Sequence, residues 1–147
     1  METTTLSKPS LTLNRRIKAA PAKVFAALID PDKIVQWFGA GAPSTKIVTT
    51  EPHAGGGYHF HFLGQSGEAN DVMGVYREVV ANERVVFTWA WKSTPERESL
   101  VTVQLSPDGE GTLLSLTHEQ FFDEAARDRH NVGWTHGLDQ LQALLEA

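Results

Sequence analysis

Histidine has the widest chemical scope of any side chain in this sequence, and six are present. Cysteine is absent, which removes disulfides and all thiolate-based nucleophilic or metal chemistry. His118 shares strand parity with Leu114 and Leu116, so it faces an interior. His130 recurs with Trp134, Leu138, Leu141 and Leu145 at spacings of 4, 4, 3 and 4, which is one stripe of a helix. Imidazole titrates near neutral pH, so two such groups in one cavity could orient a ligand or move protons. Each taken alone reads first as a satisfied core or rim histidine.

His59-x-His61 is the remaining chemical pattern, since a strand can present alternate residues to one ion. A cupin-like site needs an acid four or five residues after the second histidine. Those positions hold Gln65 and Ser66, Glu68 comes too late, and no second histidine motif follows. The pair therefore reads as solvent-facing, with no metal and no cofactor expected. Gly64-Gln65-Ser66-Gly67 has the wrong spacing for a nucleophile elbow and sits in a hairpin loop. Gly55-Gly56-Gly57 lacks a following Lys-Ser/Thr and leads into a strand, so it is not a phosphate loop. No catalytic residue is assigned.

Aromatic residues dominate what remains. Tyr58, Phe60 and Phe62 share one strand face while His59 and His61 share the other. Phe87, Trp89 and Trp91 alternate in the same way two strands on. Trp37, Phe38 and Trp134 join them, and the interior set is completed by Met73, Val75, Val101, Val103, Leu116, His118 and His130. Such a set forms either a solid core or the lining of an apolar pocket with a few polar groups, the usual build of a small-molecule site. Arg15, Arg77 and Glu98 could add a polar patch inside or outside the sheet.

The elements that must position these residues follow from turn chemistry and periodicity. Leu11 to Lys18 alternates as a strand. Pro21 opens a short helix carrying Val24, Phe25 and Leu28; Asp30 and Pro31 cap and open a second, carrying Ile34, Trp37 and Phe38. Gly39 to Pro43 breaks the pattern. Strands are predicted at 46–50, 58–63, 72–80, 84–91, 99–105 and 112–119, the last two joined across Pro107-Asp108-Gly109. A helix over 123–147 ends the chain. Within it Gly133 and Gly137 each cost about 1 kcal/mol against alanine, so they serve either close packing or open volume beside the helix. The order β-α-α-β6-α predicts an α+β fold: a curled antiparallel sheet of about seven strands wrapped around the last helix. Residues 1–9 read as an irregular lead-in and 10–147 as one domain.

At 147 residues, 41% hydrophobic and 21% charged, the chain has the composition of a single soluble domain. The formal net charge of −5 weighs against nucleic acid or an anionic membrane as partner. No apolar run approaches the roughly 20 residues of a membrane span. The polar N-terminus does not resemble a signal peptide, and a cytoplasmic location is expected.

Several segments in order carry a family resemblance. They are Arg16-Ile17 with Ala20-Pro21 through Leu28; Asp30-Pro31 through Trp37-Phe38-Gly39; Gly56-Gly57-Tyr58; Gly74-Val75-Tyr76-Arg77-Glu78-Val79; Glu83 through Trp89; Glu98 through Val103; and His118-Glu119-Gln120-Phe121 through His130, Gly133-Trp134 and Leu138. Together they resemble the START-like (SRPBCC) helix-grip superfamily, and within it the homologues of the activator of heat-shock protein 90 ATPase. The resemblance implies a sheet gripping the C-terminal helix with a cavity between them. It brings no shared catalytic set. Relatives in the wider superfamily bind lipids, hormones or polyketides, and some cyclise polyketides.

Three functions are expected in this order. The first is a small-molecule-binding protein with an apolar or aromatic, lipid-like or polyketide-like ligand and no catalysis. The second is a cyclase- or hydratase-type enzyme using a cavity histidine. The third is a chaperone- or stress-related interaction module, by family analogy alone, because nothing charged or amphipathic stands out as a docking strip. A homodimer is a further possible assembly.

Overall fold

In a computed structural model, which describes residues 8–39, 41–64 and 66–147, the first and second strands lie at opposite edges of one sheet. The elements are β1 (Leu11–Ile17), α1 (Pro21–Ile29), α2 (Pro31–Ile34), a 3-10 turn (Pro43–Thr45), β2 (Ile47–Thr50), β3 (Gly57–Leu63), β4 (Ala69–Val80), β5 (Arg84–Trp91), β6 (Ser99–Asp108), β7 (Gly111–Glu119) and α3 (Glu124–Glu146). The seven strands run β1-β7-β6-β5-β4-β3-β2, every neighbouring pair antiparallel. From β2 to β7 this is a plain meander. β1 pairs with β7, so the chain must cross from one edge to the other before the meander starts. The two short helices make that crossing. Of the expected lead-in, residues 1–7 lie outside the described residues, as does Gln65.

The capping devices read from the sequence are in place. Pro21 and Pro31 open α1 and α2, and the Asp30 carboxylate accepts the Asp32 N–H at 2.9 Å. Asp123 caps α3 by accepting the Ala126 N–H at 2.8 Å. Along α3, Trp134, Leu138, Leu141 and Leu145 are buried as their spacing predicts. Ile17, Val24, Ile34, Val101 and Leu116 complete the buried layer beneath and beside the helix, each worth about 1.5–3 kcal/mol relative to exposure. At the edge of the sheet Arg15 reaches Asp139 of α3 at 3.1 Å, while Arg77 faces Glu98 at 3.9 Å on the surface.

Two sequence expectations are corrected. The last hairpin turns through Gly109 and Glu110, not Pro107 to Gly109, because Asp108 pairs with Gly111 and Pro107 with Thr112. Proline is tolerated there because its nitrogen faces the β5 side. β5 has already ended at that point: Leu105 N–H, two residues earlier, bonds the Glu83 carbonyl at 2.7 Å. The second correction concerns β4. Met73 and Val75 pair with His59 and Gly57 on the outer face, and Val75 is 44% exposed. The inward row is Val72, Gly74 and Tyr76, in register with Phe60 and Tyr58. A glycine in the middle of that row disguises the parity. Nothing larger fits, since a Cβ at Gly74 would lie 2.0 Å from the Thr88 carbonyl oxygen.

Lys46 fixes the turn that carries Trp37 and Phe38. Its buried ammonium donates to the Val35 and Gly39 carbonyls at 3.0 and 3.1 Å, and burial lowers its pKa. The Val35 carbonyl is at the C-cap of α2, where a cation is favoured. Replacing the ammonium by an apolar chain leaves both carbonyls without that partner. Lys46→Met is expected to lower unfolding stability by about 1–3 kcal/mol in denaturant titrations; a neutral effect would show that the lysine only packs there.

Candidate functional site

The site is assembled around Phe38. Its ring centroid lies 4.9 Å from Phe60, 5.4 Å from Phe62, and 5.9 Å from both Trp89 and Trp134. These distances suit tilted and edge-to-face aromatic pairs. Phe38 thus joins the edge-crossing segment to β3, β5 and α3. Trp37 faces away, donating its indole N–H to the Ala27 carbonyl at 2.9 Å. The Tyr58 hydroxyl donates to the Thr88 carbonyl, and burial raises its pKa well above the ordinary value.

Both candidate histidines are held by tryptophan. The Trp134 indole N–H donates to His118 Nδ1 at 3.0 Å. That nitrogen is therefore the unprotonated one, and His118 Nε2–H donates to Ser99 Oγ at 2.7 Å. The Ser99 hydroxyl continues to the Trp89 carbonyl at 3.2 Å. Trp91 Nε1–H donates to His130 Nε2 at 2.9 Å, and His130 Nδ1–H donates to the Ala126 carbonyl at 2.6 Å. The two rings are thus neutral and opposite tautomers, with centroids 5.1 Å apart. An indole cannot accept, so protonating either histidine sets two donors against each other. Burial drives the His118 pKa down to about 2 and lowers that of His130, while the nearby Arg129 adds to the effect on His130. Trp89 differs from the other indoles: among the described residues its buried Nε1–H finds no acceptor.

Beside this cluster a cleft of about 700 Å³ opens between the first half of α3, the ends of β3 and β5, and the turn after β5. Phe38, Phe62, Trp89, Trp91, His130 and Trp134, all expected at the site, line it. The structure separates the rest. Trp37, Tyr58, Phe60, Phe87, Val101, Val103 and Leu116 pack in the closed interior, and His118 sits fully buried behind Ser99 and Trp134. Met73 and Val75 are on the far face of the sheet. His59 and His61 also face outward, and both bond the same oxygen of Asp71 on β4, at 2.8 and 2.9 Å. Those bonds, His61 foremost, hold the Asp71 pKa below its ordinary value.

The sequence reading missed Ser93, Thr94 and Arg97 on the turn, Phe122 just before α3, and Arg129 and His136 along it. A signal existed for the helical part. Arg129, Val132, Gly133, His136 and Gly137 recur at helical spacing as a second stripe beside the buried one, and all five line the cleft. The two glycines now separate. A Cβ at Gly137 would touch the Trp37 ring at 3.7 Å, ordinary packing, whereas one at Gly133 meets nothing within 4 Å. Gly133 leaves open volume.

Three outcomes test the histidine network. Nitrogen NMR at pH 5 should show His118 neutral with its proton on Nε2; protonated imidazole would contradict the bonding described. Because the folded pKa of His118 lies near 2 against an ordinary 6.5, the unfolded chain takes up a proton that the folded one refuses. Stability should be fully present above about pH 6.5 and fall by about 1.4 kcal/mol per pH unit below it for this group. Separately, Trp134→Phe removes the donor to buried His118, while Trp89→Phe removes a donor with no acceptor. At equal lost volume Trp134→Phe should be the more destabilising by about 1–3 kcal/mol in thermal or chemical unfolding, and the reverse order would refute the assignment.

The geometry has counterparts. Protein CV1439 from Chromobacterium violaceum superposes with TM-score 0.82 at 27% identity, covering 94% of this chain and 98% of that one. An AHSA1 protein from Silicibacter pomeroyi gives TM-score 0.78 at 29% identity, covering 93% and 97%. CalU16 from Micromonospora echinospora gives TM-score 0.71 at 26% identity, covering 92% and 75%. No curated protein is significantly similar. A family model described as Activator of Hsp90 ATPase homolog 1-like protein matches residues 18–146. With the sheet, the long helix and the two crossing helices of the helix-grip fold, the chain belongs to that family.

Proposed function

We propose that this protein binds a small, largely apolar or aromatic molecule in the cleft against α3, without catalysing a reaction on it. The observation that carries the reading is the cleft itself. About 700 Å³ lies within the usual range of small-molecule sites, roughly 300–1,000 Å³. Its floor is Phe38, Phe62, Trp89, Trp91 and Trp134, and its polar groups are few. A helical glycine faces the open volume, where any side chain would fill it.

The chemistry of the polar groups favours binding over catalysis. A general base needs a free lone pair directed at the substrate. His118 is behind the wall, and both of its nitrogens are engaged. His130 reaches the cleft, but its acceptor nitrogen is occupied by Trp91. A cyclase-type mechanism would require that bond to break first.

Gly133 gives a direct test. Gly133→Phe places a ring where nothing lies within 4 Å of the Cβ, and it exchanges a poor helix former for a better one, worth a few tenths of a kcal/mol. The variant should melt no lower than the native protein and lose most affinity for the uncharged fluorophore phenylnaphthylamine, followed by its fluorescence enhancement. Undiminished binding by a folded Gly133→Phe protein would overturn the site; absence of binding to the native protein, extended to a lipophilic library by thermal shift, would count against the function.

A further inference from the structure

We infer that the cleft selects organic acids: molecules with an apolar, aromatic-sized body and an anionic group at one end. This rests on the binding function proposed above and specifies its ligand class. The charges lining the cleft carry the argument. Among the described residues, Arg97 and Arg129 line it and no aspartate or glutamate does. That is notable in a chain whose formal net charge is −5.

The chain has seven arginines. Five of them, Arg15, Arg16, Arg77, Arg84 and Arg127, each face a carboxylate within 4 Å. Among the described residues, the two without a carboxylate partner are the two at the cleft. The acids flanking Arg97 in sequence do not compensate it there: Glu96 and Glu98 do not line the cleft, and Glu98 faces Arg77. Asp128, beside Arg129, is engaged by Arg127 at 3.1 Å. Asp123, at the start of α3, is committed to its own helix cap.

Arg97 is also placed. Its guanidinium carbon lies 3.9 Å from the centre of the Phe122 ring, a cation–π contact between the turn after β5 and the residue before the α3 cap. Phe122 is 58% exposed and Val132 73% exposed, both at the cleft. A guanidinium held there, with apolar surface beside it and its charge unmatched, suits a carboxylate, sulfonate or comparable anion. The rings of Trp89, Trp91, Phe62 and Phe38 line the remaining depth and suit an apolar body. The ligand therefore enters body first and leaves its charge at the arginines.

A matched pair of fluorophores tests this. Anilinonaphthalene sulfonate and phenylnaphthylamine share their ring system and differ by the sulfonate. In the full chain, the Arg97→Gln/Arg129→Gln double variant should weaken the sulfonate by about ten-fold, the size of two partly solvated charge contacts, and change the uncharged compound less than two-fold. Raising salt should weaken the sulfonate alone. Gly133→Phe should weaken both, which places them in this cleft. Equal effects of the double variant on both compounds would overturn the acid preference while leaving the binding function standing. Failure of both compounds to bind the native protein would remove the binding function and this inference with it. A sulfonate affinity that survives Gly133→Phe would place the charge recognition elsewhere and overturn the inference.

Discussion

A buried neutral imidazole must have both nitrogens satisfied, and much of this site follows from how His118 meets that demand. It accepts from an indole on α3 and donates to a hydroxyl on β6, which donates in turn to a carbonyl of β5. One side chain thus ties the helix to two strands with directional bonds, where apolar packing alone would permit sliding. An unpaired polar group at such depth is costly, so the position of Trp134 on the sheet is restricted. Trp134 in turn sets the distance between α3 and Phe38, and so the depth of the cleft.

Helix α3 is consequently two different objects along its length. Its second half presents Leu138, Leu141 and Leu145 to a closed interior. Its first half presents two stripes side by side, one bonded into the sheet through His130 and Trp134, the other opening onto the cleft through Arg129, Gly133 and His136. The helix-to-sheet spacing that suits large rings and hydrogen bonds in the first half leaves unfilled volume where the second stripe passes through Gly133. The cleft is the geometric residue of gripping one helix with both an apolar seam and an aromatic, hydrogen-bonded seam.

The fold was legible because its signals are local: the paired Pro-capped helices, alternation in the strands, and the spacing of the last helix. What depended on more than alternation was less so. The outward placement of Met73 and Val75 is decided by Gly74, whose lack of a side chain admits the Thr88 carbonyl, and alternation alone favours the bulkier residues. Of the expected site residues, Phe38, Phe62, Trp89, Trp91, His130 and Trp134 do share one cleft. The others divide from them by depth, a property of the curl of the sheet that parity does not carry. Arg97 and Phe122 lie far apart from β3 in sequence and on loops, where no periodicity operates, yet they complete the mouth.

The edge-to-edge crossing has a consequence for how this chain is made. β1 is synthesised long before its partner β7, although Leu11 is set against His118 in register. The strand that closes one side of the sheet must therefore wait, with its Leu11, Leu13 and Ile17 unplaced, until β7 has been synthesised. Contacts so distant in sequence slow folding and lengthen the exposure of apolar strands. The meander from β2 to β7 is built from neighbours and can form ahead of it. β1 and α3, which flank the meander in sequence, then have a sheet of neighbouring strands to dock on.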